Sequence, residues 1–200
     1  MGRGRAGRGA TGRAVSGGGE RRWGLIVIAA IVVALIGAFV VVVALDSRQQ
    51  AAQQPPEGVD TVEVASRDHV EGSVDYEQNP PAGGEHNPVW QNCGVYEEPV
   101  NSENALHSLE HGAVWITYRP DLPQEQVSQL EDLAEGESYV LLSPMEDLPS
   151  PVVASAWGKQ LQLDGAGDPQ LEQFVSAFQQ GPQTPEPGAA CTGGVGEPTA

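Results

Sequence analysis

The chain has 200 residues, which is enough for one domain of ordinary size together with terminal segments. Acidic residues number 27 and basic residues 10, so the formal net charge at neutral pH is −17. Residues 1–22 carry about +5 and everything after Leu45 about −22, which argues against a nucleic-acid partner, because binding one needs lysine and arginine to displace counterions from phosphates.

A long apolar segment without charged residues occupies residues 24–45. As an α-helix it would reach roughly 33 Å at 1.5 Å per residue, enough to cross a hydrocarbon core of about 30 Å. Arginines precede it and Trp23 lies at its polar boundary, both typical of the cytoplasmic end of a membrane span. We therefore predict a single-pass plasma-membrane protein that contacts the membrane through residues 24–45. Its N-terminus would be cytoplasmic and its C-terminal domain extracytoplasmic.

A cleaved signal peptide is the alternative interpretation of the same segment. Apolar regions of signal peptides usually run about 7 to 15 residues and end at an A-x-A-like site. Here the apolar run is longer, and the V-V-A at residues 42–44 is a poor match to that site. The sequence therefore favours an uncleaved anchor.

The segments around the apolar run differ in composition. Residues 1–23 are rich in glycine and arginine and poor in apolar side chains, which predicts a disordered cytoplasmic tail, with RNA binding as a less favoured role. Residues 46–58 contain Gln-Ala repeats and a Pro-Pro pair and predict a linker. We expect the folded extracytoplasmic domain at residues 59–181 and a C-terminal tail at residues 182–200.

The first half of the domain combines a long loop with one helix. Residues 59–64 predict a short edge strand, and residues 79–101 form a Pro- and Gly-rich loop with enough apolar side chains to be ordered over a core. Residues 102–111 then predict a helix, and Gly112 suits the left-handed position that ends it. Residues 113–118 follow as a buried strand.

The second half has more regular patterns. Asp121 is predicted to cap a helix that ends at Gly136, and residues 138–142 to form a buried strand, so that strand, helix and strand make a parallel crossover. Residues 152–163 predict a hairpin whose two-residue turn is Gly158-Lys159.

The last predicted element is a helix, with Asp168 as its cap and Pro169 at its first position. Together the elements predict an α+β fold. It consists of a small mixed β-sheet with two or three helices, preceded by a single transmembrane helix.

Most of the candidate metal ligands are histidines. His107 and His111 are four residues apart, a spacing that puts both on one face of a helix, with Glu110 between them in sequence. His86 lies in the ordered loop and His69 precedes it. Imidazole suits zinc and copper, and the thioether of Met145 would favour Cu(I), although Met145 is more typical of a core residue.

The only cysteines, Cys93 and Cys191, both lie outside the predicted membrane span, where disulfides form and persist. Paired, they would connect the C-terminal tail to the loop of His86. A metal-bound thiolate at Cys93 and two free thiols are the alternatives.

Three motifs carry a family resemblance: P-P-A-G-G-E-H at residues 80–86, C-G-V-Y at residues 93–96, and H-S-L-E-H-G-A-V at residues 107–114. With these motifs the chain resembles the bacterial membrane-anchored family called domain of unknown function 3105. The family's loop more often reads P-P-x-S-G-x-H, and Gly83 stands here at the serine position. The resemblance implies no particular activity.

The sequence as a whole predicts a membrane-anchored extracytoplasmic domain of unknown function and favours a non-enzymatic role over an enzymatic one. The first hypothesis for that role is binding of copper or zinc through histidines, with His86, His107, His111, His69 and Met145 as candidate ligands. A metal-free structural or protein-interaction module, with an envelope protein as partner, is the alternative. A zinc hydrolase is less favoured, although H-S-L-E-H matches the H-x-x-E-H pattern in which the glutamate acts as general base. Gly112 ends the helix at once, and no third-ligand motif follows.

Overall fold

The computed structural model describes residues 18–52 and 54–199, and the chain divides into two compact units between Gln49 and Gln50. The first 17 residues of the predicted cytoplasmic tail lie outside the described part of the chain.

The N-terminal unit is dominated by one helix, α1, at Gly18–Ala52. Its stretch Ile26–Val43 is long and apolar enough to cross a membrane by length and composition. None of that stretch is buried against protein, whereas the core helix of a soluble protein would be mostly buried. A membrane anchor and a signal sequence both fit this helix.

Helix α1 is longer than the predicted span of residues 24–45. It continues through Ala52, so the first seven residues of the predicted linker, 46–52, are helical. The reason is local, because this extension contains glutamine, arginine and alanine, which favour helices, and proline first occurs at Pro55.

The second unit is built on a mixed six-stranded sheet with the strand order β1-β6-β5-β3-β4-β2. The strands are β1 Asp60–Thr61, β2 Gly94–Val95, β3 Val114–Tyr118, β4 Val140–Pro144, β5 Val152–Ala156 and β6 Lys159–Leu163. The helices are α2 Ser102–Glu110, α3 Gln124–Ala134 and α4 Pro169–Phe178. Strand β4 runs parallel to β2 and β3, and the other pairs are antiparallel. This arrangement confirms the α+β prediction.

The sheet is covered on both faces. Alternate residues of β3 pack into two different core clusters, one on each face. Val114 and Ile116 pack in the core cluster that includes residues of α3 and α4. Trp115 points to the opposite face and packs in the cluster that includes Leu106 and Leu109 of α2. Side chains alternate across a strand, so α2 covers one face of the sheet and α3 with α4 cover the other.

Several predicted element boundaries are wrong. Strand β1 is Asp60–Thr61 and not residues 59–64, and strand β4 is Val140–Pro144 and not residues 138–142. Helix α3 follows Pro123, not Asp121, because a proline has no backbone N–H that needs a partner at a helix start. The hairpin turn is Trp157-Gly158, since Ala156 pairs with Lys159. Gly158 adopts φ +67°, so the position that favours glycine is the second residue of the turn. Asp168 caps α4 as predicted, its side chain accepting a hydrogen bond from the backbone N–H of Gln170.

The segment after residue 181, predicted to be a tail, packs along the Pro- and Gly-rich loop of residues 79–101. The backbone N–H of Cys93 donates to the carbonyl of Cys191 at 2.8 Å, and the N–H of Val195 donates to the carbonyl of Trp90 at 2.9 Å. Farther along, the N–H of Thr199 bonds the carbonyl of Val95 at 2.8 Å. These bonds place loop and C-terminal segment side by side over α2.

Candidate metal centre

Helix α2 holds the predicted histidine pair, and its ends are well defined. The side chain of Asn101 accepts a hydrogen bond from the N–H of Asn104 and caps the start. Gly112 follows the last turn with φ +99°, a left-handed conformation that strains other residues. A Cβ atom there would also meet the Gln180 side chain. Gly112 therefore ends the helix as predicted and turns the chain into β3.

Both faces of α2 are covered. Seven of its nine residues are buried, and they include Glu103, His107 and Glu110 beside the leucines that face the sheet. The loop and the C-terminal segment cover this polar face, so its titratable groups are removed from water. Burying polar side chains costs free energy unless they find partners, so each has to be accounted for.

His107 and His111 face each other through their Nε2 atoms, which are 3.0 Å apart. The Nδ1 of His107 lies 2.6 Å from the carbonyl oxygen of Asn87, and the Nδ1 of His111 lies 2.7 Å from that of Ala190. A carbonyl oxygen can only accept, so in each ring the proton is on Nδ1. Both Nε2 atoms then present lone pairs to each other, and two neutral rings in this state cannot form a hydrogen bond.

The environment of His107 favours the neutral ring. Burial lowers the pKa of His107 below its ordinary value of 6.5, and the neighbouring histidines act in the same direction, while the hydrogen bond to Asn87 opposes them. The unprotonated Nε2 of His107 is therefore the form present at neutral pH. That form is the one a metal ion requires.

A second group of polar side chains lies next to this pair. The Nε2 of His86 is 3.0 Å from Oε2 of Glu110, and the Nε2 of His69 is 3.5 Å from the same oxygen. His86 and Glu110 are buried, whereas the His69 side chain is 43% exposed. The Nδ1 of His86 lies 2.8 Å from the carbonyl oxygen of Gly84, which fixes this ring in the same tautomer as the other two buried rings.

Three buried histidines thus share one pattern, with Nδ1 held by a backbone carbonyl and Nε2 facing the cluster. Histidines that bind metals almost always use the other ring nitrogen in this way, because the bond fixes the tautomer and orients the ring. Donor atoms of His69, His86 and His107 lie within 4.8 Å of one another, and so do those of His107, His111 and Glu186. These are the two candidate ligand groups in the described part of the chain.

The structure brings together four of the five predicted metal ligands. The fifth, Met145, follows β4 and packs in the apolar cluster under α2. Its backbone N–H bonds the carbonyl of Tyr118, the last residue of β3, whereas His111 precedes the first residue of that strand. Since a five-residue strand is roughly 13 Å long, Met145 and His111 lie at opposite strand ends, and we leave Met145 out of the site.

Glu110 does not lie where the hydrolase pattern would need it. Its carboxylate lies 3.0 Å from the Nε2 of His86 and makes no ion-pair contact within 4.0 Å with His107 or His111 in the described residues. The general base of an H-x-x-E-H site acts on water bound between the two histidines. The arrangement therefore gives the hydrolase hypothesis no support.

Sequence reasoning missed several parts of the site. Glu186, half exposed on the C-terminal segment, lies with Oε2 3.6 Å from the Nε2 of His111. The carbonyls of Gly84, Asn87 and Ala190 carry no sequence signal, because every residue has one. Trp90 packs 5.0 Å from the ring of His111, centroid to centroid, and shields it from solvent. Only its place in the ordered loop could have suggested it.

Cys93 and Cys191 lie at disulfide distance, with Cα atoms 5.4 Å apart and a sequence separation of 98. Cys191 follows Ala190, whose carbonyl holds His111, and Cys93 lies in the loop whose Asn87 carbonyl holds His107. The predicted pair therefore connects the two segments that support the histidine rings.

A surface groove lies away from the histidine cluster. It has a volume of about 910 Å³ and is bordered by α3 and α4, on the face of the sheet opposite α2. Its rim carries Asp132, Glu137 and Glu172, and no histidine lines it. The histidines, with Glu110 and Glu186, lie in the packed cluster and not in this groove.

Fold and site together define an α+β domain with a buried histidine and carboxylate cluster beside a mixed sheet, preceded by one long apolar helix. The chain belongs to the family of proteins of unknown function DUF3105, whose model matches residues 69–193. The match spans all four histidines, Glu186 and both cysteines. No curated protein and no solved structure matches the chain. The resemblance noted in the sequence is thus confirmed at the level of the family.

Proposed function

We propose that this domain binds a divalent transition metal, zinc or copper, through His107 and His111, with Glu186 as a third ligand. The single observation that carries the proposal is the pair of Nε2 atoms 3.0 Å apart, both in the tautomer that presents a lone pair. Two lone pairs at this distance repel unless a cation lies between them.

The distances suit a metal ion. Zinc binds imidazole nitrogen at about 2.0 to 2.1 Å, so two nitrogens on a tetrahedral zinc ion are separated by roughly 3.3 Å. The observed 3.0 Å separation would have to open by only a few tenths of an ångström. Oε2 of Glu186, 3.6 Å from the Nε2 of His111, is close enough to complete a set of two imidazoles and one carboxylate.

The donor set favours a divalent ion over Cu(I). Soft sulfur ligands select Cu(I), while imidazole and carboxylate suit zinc and Cu(II). The two cysteines lie at disulfide distance from each other and Met145 lies at the other end of the strands, so the cluster in the described residues offers nitrogen and oxygen donors. The sequence alone had left the choice of ion open.

The burial of α2 gives independent support. A helix between a sheet and a loop is more stable with apolar residues on both faces, yet here His107, Glu110 and His111 are each less than 5% exposed. Departures from the locally most stable choice are expected at functional sites. A shared cation would offset the cost of burying these groups.

Elemental analysis of the purified protein tests the proposal. We expect the full chain, purified in detergent without chelators, to contain at least about one equivalent of zinc or copper per chain. Protein stripped with a chelator and dialysed against zinc chloride should regain it. A chain that carries only trace metal before and after loading would contradict the proposal. It would leave the metal-free interaction module, to be pursued by pull-down from solubilised membranes.

We further propose that α1 remains attached as a plasma-membrane anchor with a cytoplasmic N-terminus, so that the metal centre lies outside the cell. Arginines before the apolar stretch and a cysteine pair at disulfide distance both support this orientation. N-terminal sequencing of the protein from the membrane fraction should find the start of the chain intact. A start near Leu45 would instead identify α1 as a cleaved signal sequence.

A further inference from the structure

We infer that the cluster holds a second divalent cation, bound by His69, His86 and Glu110, beside the ion proposed at His107 and His111. The inference rests on the proposed function, since it takes the Nε2 of His107 as already used by the first ion. Its ligand class is the same, a zinc or Cu(II) ion with nitrogen and oxygen donors.

Two histidine nitrogens converge on one carboxylate oxygen of Glu110. Oε2 of Glu110 lies 3.0 Å from the Nε2 of His86 and 3.5 Å from the Nε2 of His69. Ligand atoms about 2.0 to 2.2 Å from one ion are separated by roughly 2.9 to 3.4 Å, depending on the coordination angle. The observed separations are close to that range.

The tautomer of His86 argues for a cation at this point. Its Nδ1–H is used by the carbonyl of Gly84, so its Nε2 and the carboxylate of Glu110 are two acceptors facing each other. A single proton could join these two atoms, but it would not involve the Nε2 of His69, which lies 3.5 Å from the same carboxylate oxygen. One divalent ion uses all three donors.

His69 is exposed, but its backbone is fixed beside His86. The N–H of Val70 donates to the carbonyl of His86 at 2.8 Å, and the N–H of His86 donates to the carbonyl of Asp68 at 3.2 Å. The ring of His69 also stacks on that of His107, with centroids 4.8 Å apart and planes inclined by 10°. Rings stacked in parallel direct their in-plane lone pairs side by side, which favours binding of His69 and His107 to different ions.

The two sites are alike in composition. Each combines two imidazoles with one carboxylate, so each ion would have three protein ligands and an open position. Each also has one exposed ligand, Glu186 in the first site and His69 in the second, through which it reaches solvent.

Counting the ions in matched variants tests the inference. The full chain in detergent is stripped with a chelator, loaded with zinc chloride, desalted and analysed for zinc per chain. We expect two equivalents in the unmodified protein, and one in Glu110→Gln, in His69→Ala and in His111→Ala. The matched control is Glu103→Gln. Glu103 is a buried carboxylate of the same helix that accepts from the N–H of Val74, and its variant should retain two.

Other zinc contents would distinguish the proposed first site from the inferred second site. One equivalent that is lost in His111→Ala and kept in Glu110→Gln would overturn the second site and leave the first. One equivalent that is lost in Glu110→Gln and kept in His111→Ala would overturn the first site and leave the second. A single ion lost in every cluster variant would mean one shared centre and overturn the second site, and zinc-free protein would overturn both. Circular dichroism melting curves of each variant verify that it is folded.

Discussion

Replacing His107 by alanine should weaken zinc binding at the His107 and His111 pair by at least about 100-fold. Loss of an outer partner of a metal ligand typically costs about 10- to 100-fold in affinity, and here a ligand itself is removed. The variant also leaves the Asn87 carbonyl without the ring that donates to it. Competition with a chromophoric chelator measures the change.

The neighbouring residue offers the control for this prediction. Ser108 is fully buried on the same helix, and its hydroxyl donates to the carbonyl of Gln91 at 2.6 Å, away from the metal ligands. Ser108→Ala should lower the free energy of unfolding by about 1 kcal/mol and leave zinc affinity within about twofold, because one buried hydrogen bond is lost but no ligand. Equal affinity losses in both variants would show that His107 acts only through stability.

Replacing Cys93 and Cys191 together by serine should lower the free energy of unfolding by about 2 to 4 kcal/mol. The chain-entropy model gives about 4.7 kcal/mol for a loop of roughly 100 residues, close to the 98-residue separation here. We expect a smaller loss of stability than this model gives, because backbone hydrogen bonds, such as that from Thr199 to Val95, still hold the C-terminal segment on the loop. Urea denaturation of the two proteins measures the difference.

The same double variant should bind zinc about tenfold more weakly, because it loosens the segment that carries Glu186 and the Ala190 carbonyl. The unmodified protein in a reducing agent is the matched control. Its free energy of unfolding and its zinc affinity should fall by the same amounts as in the double variant. A thiol count on denatured, unreduced protein should find none. Two titratable thiols, or unchanged stability in the variant, would contradict a disulfide.

The elements of the fold were largely predictable from local sequence. The spacing of apolar residues in α3 and α4 predicts which side faces the sheet, and Asp168 and Gly112 mark helix ends through chemistry confined to a few neighbouring residues. The errors lie where two local signals compete, as at Pro123 and at the turn of Gly158. At the turn, the one-residue shift is decided by the pairing of Ala156 with Lys159 on the neighbouring strand.

The candidate site was predictable only in part. The four-residue spacing of His107 and His111 is a property of one helix, so sequence alone places both rings on one face. It could not show that Glu110 turns to His86, because that contact joins residues 24 positions apart. Nor could it separate Met145 from the cluster, since the register of β3 and β4 decides which strand end it occupies.

By itself, then, the sequence determined the apolar helix, the order of the helices and of all strands but β2, and the presence of paired imidazoles, since each depends on residues within a few positions of one another. Strand β2 lies in the segment predicted as a loop. Only the tertiary structure decided the rest: which carbonyls fix the ring tautomers, which carboxylate faces which histidine, and how the C-terminal segment covers α2. These features depend on contacts between distant parts of the chain, and every residue carries the same backbone carbonyl. No local pattern could have singled out those of Gly84, Asn87 and Ala190.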